Sequence, residues 1–303
     1  MFFVESKYLN RFLWLWILIV VAIAFIFPGL GGYIKPYLIY LLMVLMFLSS
    51  LKIKFGKILR DFTNFDKVRS TLFHLMLIHI LTPILVIVFK PYISVESYIG
   101  FILAAVTSSG VAIVFLSDLY GGKPRRALEL TTVSNLLNAV AIPALVLAFA
   151  GQYVEVDFWS IFFVVIKLVI IPLILAEVFI RIKLDKPIGK VSSPTSIGLL
   201  LLIIYGIIAP TRDYILQNLL TSAKLFGIAV IIIVAMFLIG YFTAKTKKGK
   251  ITYGIASSFK NYTLSTVLAL TLFDIKVALV PIVYSVASNV LLAPAYLLFA
   301  KKK

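Results

Sequence analysis

The sequence predicts an all-α, polytopic membrane protein, and three observations predict it. Hydrophobic residues make up 62% of the 303-residue chain, against roughly 45–50% in a soluble domain. The apolar residues fall into ten runs of near-spanning length. The basic residues fall almost entirely into every second connection between those runs.

A spanning helix needs about 20 mostly apolar residues. The runs are Phe12–Pro28, Pro36–Leu51, Ser70–Phe89, Ser97–Leu119, Ala127–Ala150, Phe158–Ile180, Ser193–Ala209, Ser222–Ala244, Ile251–Phe273 and Lys276–Ala300. Helices are expected because backbone groups in hydrocarbon must be satisfied within the segment, and no strand-like alternation is seen. Pro83, Pro143, Pro172 and Pro294 lie inside runs, where neighbouring helices tolerate the kinks they cause. The first run is followed by further apolar spans rather than by a small-residue cleavage site, so it is expected to be a retained helix. With no cysteine there is neither a disulfide framework nor a thiolate metal site.

The net charge of +17 would on its own suggest nucleic acid. Its distribution argues against that partner and for the lipid bilayer. Lys7, Arg11, Lys52, Lys54, Lys57, Arg60, Lys67 and Arg69 belong to one set of loops, with Lys123, Arg125, Arg126, Arg181, Lys183, Lys186 and Lys190. Lys245, Lys247, Lys248, Lys250, Lys301, Lys302 and Lys303 complete that set. The opposite set holds only Lys35, Lys90, Arg212, Lys224 and Lys276. By the positive-inside rule both termini are expected in the cytoplasm of a cell-membrane protein, as an even number of spans requires.

Sliding the chain on itself by 151 residues matches Ser134 with Ser285, Asn138 with Asn289 and Pro143 with Pro294. This predicts two five-helix repeats, 1–151 and 152–303, the second inverted because each has an odd number of spans. Inverted repeats are typical of secondary transporters, with the site near the midplane. The fourth run carries Thr107, Ser108, Ser109 and Gly110 at its centre, and the ninth carries Ser257, Ser258, Phe259, Lys260 and Asn261. At the same offset Ser109 meets Lys260 and Gly110 meets Asn261. Both runs are expected to be interrupted helices, whose freed N–H groups and positive dipole ends would hold an anion. The alternative for each patch is close helix packing by small residues.

Lys260 is the most informative residue, since an ammonium at mid-membrane costs about 2.5–3.5 kcal/mol and is usually functional. Lys167, deep in the sixth run, pairs with a carboxylate or snorkels. Glu129 and Glu177 read as interfacial. His79, four residues before Pro83, reads as a structural histidine within reach of a carbonyl freed by the kink. The candidate substrate site is Thr107, Ser108, Ser109, Gly110, Ser258, Lys260, Asn261, Asn138 and Asn289; ion coupling falls to Lys260, Thr131 and His79.

The segments AAVTSSGVAIVFLSDLYGGKPRRALELTTVSNLLNAVAIP and ITYGIASSFKNYTLSTVLALTLFDIKVALVPIVYSVASNVLL resemble the fourth-to-fifth and ninth-to-tenth helices of the bile acid:sodium symporter family. The resemblance implies a panel domain, a core domain, crossing fourth and ninth helices, and transport of organic anions, commonly with sodium. The departures concern the sodium sites. Gly110 stands where the family has Asn, Ala256 where it has Glu, and Lys260 where it has Gln. Thr131 matches a sodium-ligating threonine, Ala127 falls where a ligating serine is expected, and Ile78, beside His79, falls where the third helix has Gln. Sodium needs several oxygen ligands, and a lysine beside it would repel it. Transport without sodium is therefore expected, and no cofactor or metal.

VAIVFLSDLYGG followed by LTTVSNLLNAVAIPALVLA also resembles auxin efflux carriers, a related ten-helix architecture that implies a proton-coupled carrier or a uniporter. A channel is a third reading, since polar midspan patches can line a pore. No metalloprotease, nucleophile-elbow or paired-carboxylate motif suggests an enzyme, and no mid-membrane Asp suggests a cation/proton antiporter. Substrate identity, transport direction and oligomeric state are not encoded in any recognisable motif.

Overall fold

A computed structural model describes residues 13–51, 53, 63–110, 112–155 and 157–299. Phe12, Ala300 and the basic residues Lys7, Arg11, Lys52, Lys54, Lys57, Arg60, Lys301, Lys302 and Lys303 lie outside the described residues. Among the described residues the regular structure is helical, joined by turns and loops, with one isolated β-bridge.

The helices are α1 (Leu13–Ile26), α2 (Leu38–Ser50), α3 (Phe65–Met76), α4 (Thr82–Phe89), α5 (Val95–Val106), α6 (Ile113–Leu119) and α7 (Pro124–Ala150). Then come α8 (Phe158–Val165), α9 (Ile171–Arg181), α10 (Asp185–Gln217), α11 (Leu219–Phe242), α12 (Lys247–Ser258), α13 (Tyr262–Leu272) and α14 (Ile275–Phe299). Single turns at Pro28–Leu30, Gly31–Ile34 and Lys35–Tyr37 link α1 to α2. Polar side chains start several helices where the sequence supplies them. Asn64, Ser94, Asp157, Thr246 and Asn261 each accept a first-turn amide, the usual way of satisfying an orphan N–H.

Among the described residues, seven helices are long and apolar enough to cross a membrane: Pro28–Ser50, Phe65–Ile87, Pro124–Ala150, Phe158–Arg181, Val191–Gln217, Leu219–Phe242 and Ile275–Leu292. The chain is a multi-pass membrane protein. The other three expected runs coincide with α1, described from Leu13, and with the interrupted pairs α5–α6 and α12–α13. α10, which corresponds to the seventh expected run, is longer than its apolar core, running for 33 residues from Asp185 with Pro194 and Pro210 inside it.

Pro83 and Pro172 act differently from the simple kinks expected. Each follows a π-helical turn, Leu77–Leu81 joining α3 to α4 and Ile166–Ile170 joining α8 to α9. A proline cannot donate to the preceding turn, and the wider turn leaves carbonyls free for other partners. Such π-turns concentrate at functional sites. Pro143 sits inside α7 without interrupting it.

Two packing groups emerge, joined where α7 packs against α8 and α14 against α1. α10 packs against α1 and α2, and α2 also packs against α9. The other group joins α5 to α4, α7 and α14, α11 to α12 and α14, and α13 to α14. The interrupted helices lie in the second group.

Candidate functional site

α5 stops at Val106 because Thr107 turns to an extended conformation, and α12 stops at Ser258 because Phe259 does the same. The two extended stretches pair as a short antiparallel bridge. The Gly110 amide donates to the Phe259 carbonyl at 3.0 Å, and the Asn261 amide donates to the Ser108 carbonyl at 2.8 Å. Ser109 and Lys260 stand opposite each other; they are the residues the 151-residue offset equates. The bridge answers the question an interrupted helix raises in hydrocarbon, where its peptide groups go. The approach is close: a Cβ on Gly110 would stand 2.8 Å from the Lys260 carbonyl oxygen.

Polar side chains fix the bridge from behind. Asn138 accepts the Ser108 amide at 3.0 Å and donates to the Ser108 hydroxyl at 2.9 Å. The Ser108 hydroxyl donates to Asn135 Oδ1 at 2.6 Å. Ser109 donates to the Ala256 carbonyl at 2.6 Å, Ser258 to the Gly254 carbonyl at 2.8 Å, and Thr107 to the Ala104 carbonyl at 2.9 Å. Tyr262 reaches back across the second break to the Ser258 carbonyl at 3.1 Å.

Lys260 is buried, and its ammonium turns inward. It donates to the carbonyl of Ile78, to that of Ala105 at 2.8 Å and to that of Thr107 at 3.5 Å. Ile78 lies in the π-turn before Pro83, and its carbonyl also accepts the Thr82 hydroxyl at 3.2 Å. Ala105 and Thr107 belong to the C-terminal end of α5, where carbonyls lack helical partners and the dipole favours a cation. His79 joins the same end. Its Nδ1–H donates to the Val106 carbonyl at 2.9 Å while Nε2 accepts from Ser134 at 2.9 Å. Both ring nitrogens of His79 thus have partners within the protein, and the carbonyl it meets belongs to α5 and not to its own kink.

A cavity of about 190 Å³ lies between the two packing groups, on the open side of the bridge. Gly110, Lys260, Asn261 and Asn289 form part of its wall, with Thr263 and Ser288 beside them. The opposite wall is apolar, from Leu42, Leu45, Met46, Ile197 and Leu200, and carries Ser49 and Ser196. Asn261 Oδ1 caps α13 by accepting the Leu264 amide at 3.2 Å. Its Nδ2 is buried and without a partner. Asn289 holds the Ser285 carbonyl at 2.8 Å. A second cavity, of about 400 Å³, shares Met46, Ser49, Phe115 and Ser193 with the first and extends to Asp118, Thr131 and Asn135. Thr131 donates to the Ala127 carbonyl at 2.9 Å.

The structure thus gathers all the predicted site residues except Thr131 around the bridge, and divides them. Gly110, Lys260, Asn261 and Asn289 reach the first cavity, and Thr131 the second. Thr107, Ser108, Ser109, Ser258, Asn138 and His79 hold the backbone from behind. Sequence reasoning missed Asn135, although it lies one turn before Asn138 on the same helical face, and missed the serines of the opposite wall. Lys167 is apart from all of this, exposed on the sixth span with its ammonium 5.4 Å from the Tyr40 ring centre. Among the described residues no cluster of acidic, histidine or cysteine side chains could hold a metal ion.

The family described as "Sodium Bile acid symporter family" matches residues 39–218, more than half of the chain. The protein belongs to that family. Among curated relatives, the "Uncharacterized sodium-dependent transporter YocS" of Bacillus subtilis is 23% identical over 235 residues, covering 75% of this chain and 70% of the relative. The "Uncharacterized protein YbaS" of the same organism is 26% identical over 252 residues, covering 77% of this chain and 81% of the relative. Membership in the bile acid symporter family makes the protein a membrane transporter.

Proposed function

We propose that the protein is a secondary carrier of a small organic anion, working by alternating access and without sodium. The chain is read as ten spans in two inverted five-helix repeats, with the α5–α6 and α12–α13 pairs as the crossing fourth and ninth helices and both termini in the cytoplasm. The opposition of Ser109 and Lys260 across the bridge supports the repeat, because equivalent residues meet where a local two-fold axis would pass. The separation into two packing groups with a cavity between them supports a moving core against a panel.

The observation that carries the anion reading is Asn261. Its buried, unpartnered Nδ2 stands at the cavity wall beside the first turn of α13, whose Tyr262 and Thr263 amides have no helical acceptors by position. A carboxylate placed there would take the Asn261 donor and the positive end of the α13 dipole. The apolar wall opposite suits a compact hydrocarbon body. Lys260 enters this reading as a fixed internal cation. Its donors are occupied by carbonyls, so it supports the anion by its charge and not by direct contact.

The name of one relative, a sodium-dependent transporter, sets the rival reading. Uptake into proteoliposomes separates the two. Saturable uptake of a carboxylate that is unchanged when choline replaces sodium is expected. A strict sodium requirement refutes the coupling, and thermal stabilisation by neutral or cationic solutes but by no organic acid refutes the anion. Electrogenic flux that never saturates would mark a channel.

A further inference from the structure

Away from the bridge, three spans end around a separate basic cavity of about 500 Å³. Lys67 and Ser70 come from α3, Lys123, Arg125 and Arg126 from the start of the fifth span, and Tyr253 from α12. Asp66 and Glu129 complete the charged lining, so basic residues outnumber acidic ones by two. Glu129 pairs with Arg125 at 3.3 Å and with Arg126 at 3.1 Å.

The wall is built, not merely solvated. Arg126 is largely shielded and donates to the Ser70 hydroxyl at 3.2 Å and the Tyr253 hydroxyl at 3.3 Å. Ser70 and Tyr253 are themselves joined at 3.2 Å. His74 stacks on Tyr253 with ring centres 3.7 Å apart, donates from Nδ1–H to the Ser70 carbonyl at 2.6 Å, and meets the Thr243 hydroxyl through Nε2 at 3.1 Å. The backbone amide of Lys123 is anchored on Thr252 at 2.7 Å. Residues of four helices therefore hold Arg126 and the Lys123 backbone in place before any ligand arrives, which lowers the ordering cost of binding.

Two features select the ligand. The cavity sits where α3 and α7 begin and beside α12, and the ends of spanning helices lie at the level of lipid headgroups in a bilayer. On the adjoining face of α3, Leu72, Phe73 and Met76 are exposed along the direction of the bilayer. Arginine and lysine side chains with hydroxyls beside them match phosphate oxygens, and an exposed apolar strip beneath matches acyl chains. We infer that this cavity binds the phosphate headgroup of an anionic phospholipid, with its chains lying along α3. The site is independent of the transported solute. It would clamp α3, α7 and α12 together: α3 leads into the π-turn that holds Ile78, α7 carries Asn138, and α12 ends at the second break.

The test uses the purified full-length protein in neutral detergent, with short-chain phosphatidylglycerol, short-chain phosphatidylcholine and inorganic phosphate as probes. A saturable rise in melting temperature with phosphatidylglycerol alone is expected. The exposed pair Lys123→Gln with Arg125→Gln should weaken it at least about tenfold, from loss of two charged contacts, and Lys186→Gln should leave it intact. Raised salt should weaken it, since exposed charges are screened. No shift, an equal shift with phosphatidylcholine, or a shift undiminished in the double variant overturns the site. An equal shift with inorganic phosphate overturns the lipid assignment. Should the double variant fold poorly, Lys123→Glu alone gives the same reading.

Discussion

Removing the Lys260 side chain separates a structural cation from an ornament of the sequence. The ammonium costs about 2.5–3.5 kcal/mol to place at mid-membrane. Its hydrogen bonds, each charge-assisted, return about 1.5–3 kcal/mol apiece. The contacts to Ile78 and Ala105 are firm, and the one to Thr107, at 3.5 Å, is marginal. Two such bonds give about 3–6 kcal/mol, whose midpoint exceeds that of the cost by about 1.5 kcal/mol, so Lys260→Ala should destabilise by about 1–2 kcal/mol. In choline-containing buffer the variant should melt a few degrees lower than the native protein. The vacated space is walled by carbonyl oxygens, the ligand type that a hard cation prefers. Sodium should then stabilise Lys260→Ala, by about 1.4 kcal/mol at ten times its dissociation constant, and leave the native protein unmoved. The reasoning is refuted if the variant melts like the native protein in choline, or if sodium stabilises the native protein as much as the variant.

Three other substitutions probe the same region. Asn261→Asp keeps the oxygen that caps α13 but sets a carboxylate at the cavity wall, so anion uptake should collapse while thermal stability changes little; equal uptake would remove Asn261 from the site. Gly110→Ala forces a Cβ to within 2.8 Å of the Lys260 carbonyl oxygen, and overpacking of this kind costs about 1–3 kcal/mol, readable as a lower melting temperature; an unchanged melting temperature would mean that the bridge yields freely. Asn138→Ala should lower stability because it leaves the Ser108 amide without its acceptor, about 1–3 kcal/mol, whereas Asn289→Ala, which breaks only a bond within its own helix, should act on uptake more than on melting.

How far the sequence could be read follows from what each feature depends on. The helices were legible because hydrocarbon thickness imposes a length, and the described helices fall where the apolar runs place them. The two breaks were legible because Gly110, Ser257, Ser258 and Asn261 are weak helix formers in spans that are otherwise apolar. Lys260 was legible as a residue that must find polar partners because its insertion cost demands compensation. Its direction was not. That depends on Pro83 freeing a carbonyl on another span, 182 residues away, and no periodicity within the ninth span encodes it. The same holds for the matched pair Asn138 and Asn289. The offset equates them, yet Asn138 clamps the first break and Asn289 faces the cavity. Identical residues at equivalent positions took different tasks because their partners differ. Asn138 has the Ser108 amide and hydroxyl before it, while across the bridge Asn261 turns its oxygen to its own helix and leaves its nitrogen bare. That asymmetry, a satisfied first break and an unsatisfied second, leaves the unpartnered donor on the same stretch of chain that carries the lysine.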